Sequence, residues 1–367
     1  MKLLRFFYEV PELDNFRLNS LKMDPIELSN INLLVGKNAS GKSSIVQHIV
    51  SLADMLKGTN LRIGSYSLEL KDDDGSILKY SCNISLGIKS EIEISESLFI
   101  NADQLVDRKN NIAKIYSAIK SEKIEINPPE NKLVHQVRRD EKDYPYFEKL
   151  IKWAESVHSF KFGHIHSTSF MKSPLDKSNI ADTGLTSIND NDLNKILGEL
   201  NTHSKNEVIK EFNSLGYNIE ILTVKLQAEK NIIYVKENNV KYEISQTMLS
   251  QGMWRSLFLL IFVHHLIDSE KAKMIIIDDL CESLDYDRAT KLGKLLFDKM
   301  NTNNVQFIAT SNDSFLMNVI DIKYWNIIYR EANFIKVYNY SNSKEKFDKF
   351  RRSGFNNFDL LTSNYLN

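Results

Sequence analysis

Two stretches far apart in the chain carry residue types that could handle a nucleoside triphosphate. The run Gly36-Lys37-Asn38-Ala39-Ser40-Gly41-Lys42-Ser43, followed by Ser44, matches G-x-x-x-x-G-K-[ST]. Glycines at both ends of the turn let backbone N–H groups point inward at phosphate oxygens, and the helix that follows adds the positive potential of its N-terminus. Lys42 is placed to reach the β and γ phosphates, and the Ser43 hydroxyl to meet Mg²⁺. The second stretch, Met274-Ile275-Ile276-Ile277-Asp278-Asp279, is an apolar run ending in two carboxylates. Asp278 suits Mg²⁺ through its water shell, and Asp279 suits a general base that aligns the water attacking the γ phosphate.

These residues need particular elements to hold them. Apolar runs Leu3 to Val10 and Ile26 to Val35 predict two strands, the second feeding the glycine turn, and Ser43 to Lys57 has helical spacing ending before Gly58. Strands are expected at Tyr66 to Leu70, Leu78 to Ile88 and Glu91 to Ile100, with Asp72-Asp73-Asp74-Gly75 as a hairpin turn. From Asn110 to Leu215 the pattern reads as mixed helices, among them Tyr146 to Val157, Asp192 to Leu200 and Asn206 to Leu215, with Ser167 to Asp190 as a loop or lid. Strands return at Ile219 to Leu226, Asn231 to Lys236 and Val240 to Ile244. An apolar helix from Met253 to Ile267 follows, then the strand ending in Asp278, a helix over Asp287 to Met300, a strand over Val305 to Thr310, and strands at Trp325 to Arg330 and Phe334 to Tyr338. Buried apolar strands alternating with helices predict an α/β fold with the sheet covered on both faces.

The bulk composition narrows the function classes. With 47 basic against 48 acidic residues the net charge is −1, so no global field draws in nucleic acid or an anionic membrane, and any such contact must be local. Cys82 and Cys281 show no zinc or disulfide spacing, and the N-terminus lacks a signal-peptide pattern, which together predict a cytoplasmic protein. Met253 to Ile267 is too short and too polar, with Arg255, His264 and His265, to span a bilayer. The histidines form no H-E-x-x-H pattern, and His164 and His166 stand as a near pair without further ligands. Arg138-Arg139 and the cluster Lys344, Lys346, Lys349, Arg351, Arg352 could touch nucleic acid phosphates, although such runs are more often solvated faces, which is the favoured reading.

Asp278 comes 236 positions after Lys42, leaving room for a large insertion, and Leu249-Ser250-Gln251-Gly252-Met253 stands just upstream of it. Glu282-Ser283-Leu284-Asp285 and Phe307-Ile308-Ala309-Thr310-Ser311-Asn312-Asp313 follow. This order resembles the ABC-type ATPases, with a P-loop, an LSGGQ-like signature, a Walker B strand, a D-loop and a switch loop. Asn15-Phe16-Arg17 and the opening INLLVGKNASGKSS are similar to the head domains of SMC, DNA-repair and OLD-type ATPases. SQGMWRSL, IDDLCESLDYDRA, ATSNDSFLMN and SGFNNFDLL look like the small ATP-binding subunits of bacterial anti-phage systems.

The resemblance implies an α/β ABC-type head, a P-loop core with an antiparallel β subdomain, carrying a helical insertion. Its divisions would be an N-terminal half at 1–109, a helical lid at 110–216, a C-terminal half at 217–340 and a tail at 341–367. ATP and Mg²⁺ are the implied ligands. Ser250 and Gly252 would contact the γ phosphate held by a second copy, Asp285 would communicate across that homodimer, and a separately encoded effector, nuclease or toxin would be the partner. A glutamine is expected on Mg²⁺, with Gln136 the candidate and Gln104 behind it. Two departures from the family pattern stand out: Asp279 replaces glutamate, one methylene shorter, and Asn312 replaces the switch histidine and cannot shuttle a proton near neutral pH. They predict slow turnover and a long-lived ATP-bound dimer. The competing readings are an ATP-binding scaffold with negligible hydrolysis and a DNA-repair or chromosome-associated head.

Overall fold

The computed structural model describes residues 1–11, 20–87, 91–161, 190–227, 230–270, 272–282, 284–363 and 365. The Asn15-Phe16-Arg17 opening, the lid expected at 167–190 up to its last residue, His164, His166 and Ser283 therefore lie outside the described residues.

The strands are β1 Lys2–Val10, β2 Leu21–Met23, β3 Ile26–Glu27, β4 Ile31–Val35, β5 Gly64–Lys71, β6 Ile77–Leu86, β7 Ile92–Ile100, β8 Asp103–Lys109, β9 Ile112–Ser117, β10 Glu122–Ile126, β11 Val157–Lys161, β12 Ile219–Gln227, β13 Lys230–Glu237, β14 Ile244–Ser245, β15 Met274–Asp278, β16 Gln306–Ser311, β17 Trp325–Glu331 and β18 Phe334–Asn339. The helices are α1 Lys42–Lys57, α2 Val134–Val137, α3 Pro145–Glu155, α4 Asp190–Glu199, α5 Thr202–Ser214, α6 Gln251–Asp268, α7 Tyr286–Thr302, α8 Ser314–Val319, α9 Lys344–Arg351 and α10 Asp359–Thr362.

One 15-stranded sheet organises the molecule, in the order β10-β9-β8-β7-β6-β5-β1-β2-β18-β17-β4-β16-β15-β11 with β3 on β1. From β10 to β2 every pairing is antiparallel, whereas β17, β4, β16, β15 and β11 run parallel. The parallel strands are buried on both faces because their side chains alternate: Ile275 and Ile277 enter a core with α6 and α7, while Met274 and Ile276 enter a core with α1 and α3. Each such side chain contributes about 1.5–3 kcal/mol on full burial. The strand read over Ile26 to Val35 is divided, because Ser29 donates to the Ile31 carbonyl at 2.5 Å and its N–H binds Asn32 Oδ1 at 2.9 Å, turning the chain between β3 and β4.

The segment from 110 to 216 differs most from its helical reading. Its first part, β9 and β10, extends the antiparallel sheet, since Ala113 and Ile115 alternate inward on either side of the exposed Lys114. α3 packs on α1, and β11 is the outer strand of the parallel block. Only α4 and α5, packed on α6 and on the β12–β13 pair, stand apart as helices. The stretch from 341 onward is likewise no loose tail: Phe347, Phe350 and Leu360 of α9 and α10 are buried in the same core as α6.

A buried ion pair fastens the loop before α2 to the antiparallel sheet. Arg108 Nη1 binds Glu96 Oε1 at 2.9 Å, and Arg108 also donates to the carbonyls of Asn110, Pro129 and Lys132. Glu96 accepts in addition from the Tyr80 hydroxyl and the Val134 N–H, so both charges are met by hydrogen bonds.

Candidate functional site

The registers Val35 with Ser311, Val35 with Ile327, Ile277 with Ala309 and Lys161 with Asp278 bring the carboxyl ends of the parallel strands to one edge. This is where an α/β sheet places its ligands. From β4 the chain turns through the glycine loop into α1. Gly36 sits so close to the neighbouring strand that a Cβ there would lie 2.5 Å from the Ile328 carbonyl oxygen. Gly41, at the α1 N-cap, has φ +106°, where side chains are strained, and a Cβ would meet Ile335 at 2.4 Å. These two constraints leave the first N–H groups of α1 open toward the loop.

The loop encloses a cavity of about 290 Å³ lined by Asn38, Ala39, Ser40, Gly41, Lys42, Ser43, Ser44, Asp279, Asn312 and Arg330. Lys42 is buried and donates to the carbonyls of Gly36 at 2.8 Å and Lys37 at 3.2 Å. Burial lowers its pKa, and the carboxylates of Asp279 and then Asp278 push it back up. Ser40 is buried as well, and its hydroxyl makes no hydrogen bond among the described residues. An ammonium on neutral carbonyls and an unmet hydroxyl in one polar cavity suit the oxygens of a phosphate chain.

Asp278, at the end of β15, accepts from the Ser43 hydroxyl at 3.0 Å and from the Thr310 hydroxyl at 2.6 Å. Thr310, buried on β16, also accepts the Asp279 N–H at 2.8 Å, so one side chain sets the orientation of both acidic residues. Asp279 lies in the left-handed region at φ 55°, which an aspartate tolerates. This turn leaves Asp278 on Ser43 and Asp279 on the cavity wall. A hydroxyl and a carboxylate in contact are hard oxygen donors, and they fit Mg²⁺ completed by water and phosphate.

Asn312 lines the same cavity and donates to Asn38 Oδ1 at 2.6 Å. Gly36 to Ser44, Asp278, Asp279 and Asn312 are thus assembled as their spacing suggests. Ser250, Gly252 and Asp285 are not among the residues lining that cavity. Ser250 caps α6, accepting the Met253 N–H at 3.3 Å, and Asp285 caps α7, accepting the Arg288 N–H at 3.1 Å. Gln136 is a correction: it accepts the Leu133 N–H at 2.9 Å and donates to the Met55 carbonyl at 3.2 Å, at the far end of α1. With a rise of about 1.5 Å per residue, that end lies about 18 Å from Ser43, too far to share a metal. Gln104 is no substitute, because it pairs with Phe99 in the antiparallel sheet.

Thr310 and Arg330 belong to the site without having been singled out as polar partners of it. The available signal was their place at the carboxyl ends of otherwise apolar strands. Arg255, buried on α6, donates to the Glu282 carbonyl at 2.9 Å and joins that helix to the turn after Asp279. Of the basic clusters, three members carry carboxylate partners: Arg139 on Glu148 at 2.7 Å, Lys344 on Asp348 at 2.8 Å, and Arg351 on Asp321. No helix among the described residues is long and apolar enough to cross a membrane.

Among solved structures, the chain is similar to an Smc head bound to the C-winged helix domain of ScpA, with a TM-score of 0.52 and 13% identity over 92% of this chain and 96% of that one. It is also similar to an Smc head domain with an extended coiled coil bound to the C-terminal domain of ScpA, derived from Pyrococcus furiosus, with a TM-score of 0.51 and 11% identity over 95% of this chain and 99% of that one. At such identities the likeness is one of fold. Comparison with curated proteins finds no match. A family model described as "AAA domain, putative AbiEii toxin, Type IV TA system" matches residues 31–318. The chain therefore belongs to that family, as a P-loop ATPase whose fold is that of the Smc head domains.

Proposed function

We propose that the chain binds Mg-ATP in this cavity, hydrolyses it slowly, and uses the ATP-bound state to form a homodimer that controls a separately encoded effector, a nuclease or toxin, in bacterial anti-phage defence. The observation that carries the nucleotide reading is the run of contacts that starts at Ser43, on the cavity wall beside Lys42, and passes through Asp278 to Thr310. Lys42 and the α1 N–H groups hold the β and γ phosphates. Ser43 and Asp278 would hold Mg²⁺, which supplies charge neutralisation of the phosphates when bound. Asp279 takes the proton of the attacking water, and its short side chain reaches less far than a glutamate would. Asn312, tethered to Asn38, orients a phosphate or water by hydrogen bonding and transfers no proton. Both features support slow turnover and an ATP clamp.

Because Ser250 and Gly252 sit outside the cavity, the reading assigns them to the γ phosphate of a second copy, with the Ser250 hydroxyl and the α6 N-terminus as donors. Smc heads seated on ScpA support a head of this fold docking a separate protein. The family description, with its toxin–antitoxin context, supports the defence setting. The carboxylate partners of Arg139, Lys344 and Arg351 weigh against the DNA-bound alternative. Phosphate release and solution mass, measured together with Mg-ATP, test the reading. Slow release with a doubled mass is expected. Fast turnover by a monomer overturns it, and dimerisation without any release establishes the scaffold instead.

A further inference from the structure

Arg330, at the end of β17, lines the phosphate cavity, and nothing in the P-loop pattern calls for it. It is exposed. Its Nε donates to the Ala332 carbonyl at 2.8 Å across the β17–β18 turn, which fixes the plane of the guanidinium. Among the described residues no carboxylate pairs with it, unlike Arg139, Arg288 and Arg351. Arg330 also borders an adjoining cavity of about 600 Å³ formed by Lys37 to Ser40 and Ile328 to Arg330, so it stands where the two spaces meet. Its charge reaches the buried Tyr8 phenol, opposing the rise in pKa that burial causes there.

Arg330 thus brings a guanidinium, held through Nε by one neutral carbonyl, to the wall of a cavity that Lys42 and the α1 N-terminus already make positive, and an anion is the ligand such a wall suits. We propose that Arg330 is a further phosphate-binding residue, donating through its terminal amino groups to the polyphosphate chain where it leaves the glycine loop. The planar fork of the guanidinium suits two oxygens of one phosphate, which a lysine at this place would not match. This inference rests on the ATP reading above, and it adds a second cationic side chain beside Lys42, from β17, which ties the β17–β18 hairpin to nucleotide occupancy.

Titration calorimetry of the full chain, with Mg-ATP and separately with Mg-tripolyphosphate, tests it on wild type, Arg330→Ala and Arg330→Gln. Because Arg330 is exposed, both variants keep the wild-type unfolding temperature, and the neutral, longer Gln serves should Ala disturb the hairpin. The expected result is a loss of about tenfold to a hundredfold in affinity for both ligands, the usual worth of a hydrogen bond to a charged group. Unchanged affinity for both ligands overturns the inference and leaves the P-loop reading standing. A loss confined to ATP also overturns it, since the contact would then be to the nucleoside. A wild-type chain that binds neither ligand overturns the ATP reading itself.

Discussion

Thr310→Val removes one hydroxyl and almost no volume, and the structure gives its consequences at two atoms. Asp278 loses the 2.6 Å donor that, with Ser43, holds its carboxylate, and the Asp279 N–H loses its 2.8 Å acceptor. Thr310 is fully buried, so water does not replace it freely. A hydrogen bond to a charged group contributes about 1.5–3 kcal/mol, and an abandoned buried N–H costs about 1–3 kcal/mol. Partners that orient a metal-binding carboxylate are typically worth about tenfold to a hundredfold in metal affinity. The expected outcome is that the Mg²⁺ concentration needed for half-maximal ATP binding rises by that factor, measured with a fluorescent ATP analogue over a Mg²⁺ titration. Thr310→Ser keeps the hydroxyl and should restore most of the loss. A Mg²⁺ requirement identical to wild type in a folded Thr310→Val protein would refute the chain of orientation from β16 through Asp278 to Ser43.

Gly36→Ala drives a methyl to 2.5 Å from the Ile328 carbonyl, a backbone atom that cannot turn away, so calorimetry should show ATP binding lost and the unfolding temperature lowered by an overpacking cost of about 1–3 kcal/mol. Asp279→Glu restores the missing methylene and should raise phosphate release, whereas Asp279→Asn should abolish it without weakening ATP binding; a slower Asp279→Glu enzyme contradicts the short-base account. Glu96→Leu leaves the fully buried Arg108 charge uncompensated and should cost about 3–5 kcal/mol in denaturant unfolding, while losing Glu96 and Arg108 together should cost much less than the two single losses added. Burial pushes the pKa of His48, with help from Arg62, and of His135, despite its bond to the Leu56 carbonyl, down to about 4 from 6.5. The unfolded chain therefore takes up these protons first, so the stability is complete above about pH 6.5 and is lost as pH falls toward about 4. Each histidine accounts for about 3 kcal/mol by its shift, and His135→Gln should flatten the decline of unfolding temperature with acid.

How much of this was legible depended on the range of the interaction that decides each feature. The glycine loop was readable because Gly36, Gly41, Lys42 and Ser43 act within a few residues of one another, and β15 because an uninterrupted apolar run ending in Asp278 fits only a strand buried on both faces. β9 and β10 were missed because Lys114, Glu122 and Lys123 dilute the alternation of Ala113 and Ile115, which is resolved only by pairing with β8. β11 was absorbed into the helix before it, since Val157 continues the apolar spacing of α3 and becomes a strand residue through its partner Met274. Gln136 carried the right chemistry at the wrong end of α1, because a local motif fixes a residue's type and says nothing of which helix terminus it will meet. Thr310 and Arg330 are polar residues on apolar strands, and their use depends on which strands the sheet places beside β4.

That sheet order also links the parts of the site that do not share a cavity. Arg255 begins the second turn of α6, a few residues beyond Ser250, and its buried guanidinium binds the Glu282 carbonyl in the turn that starts at Asp279. The Leu280 N–H in that turn binds the Thr310 carbonyl, so the turn is fixed to β16, and β16 holds Asp278 through Thr310. A displacement of the acidic turn is therefore carried to the start of α6 through one buried side chain, without passing through solvent or through the segments outside the described residues. Since packed elements resist continuous deformation, a shift of Ser250 is expected to move Asp278 and Asp279 with it. If the proposed dimer exchanges Ser250, this contact would make each cavity sensitive to the state of the other, and Arg255→Met, which keeps the volume and removes the donor, should make the two sites bind ATP independently, as read by the Hill coefficient of a calorimetric ATP titration.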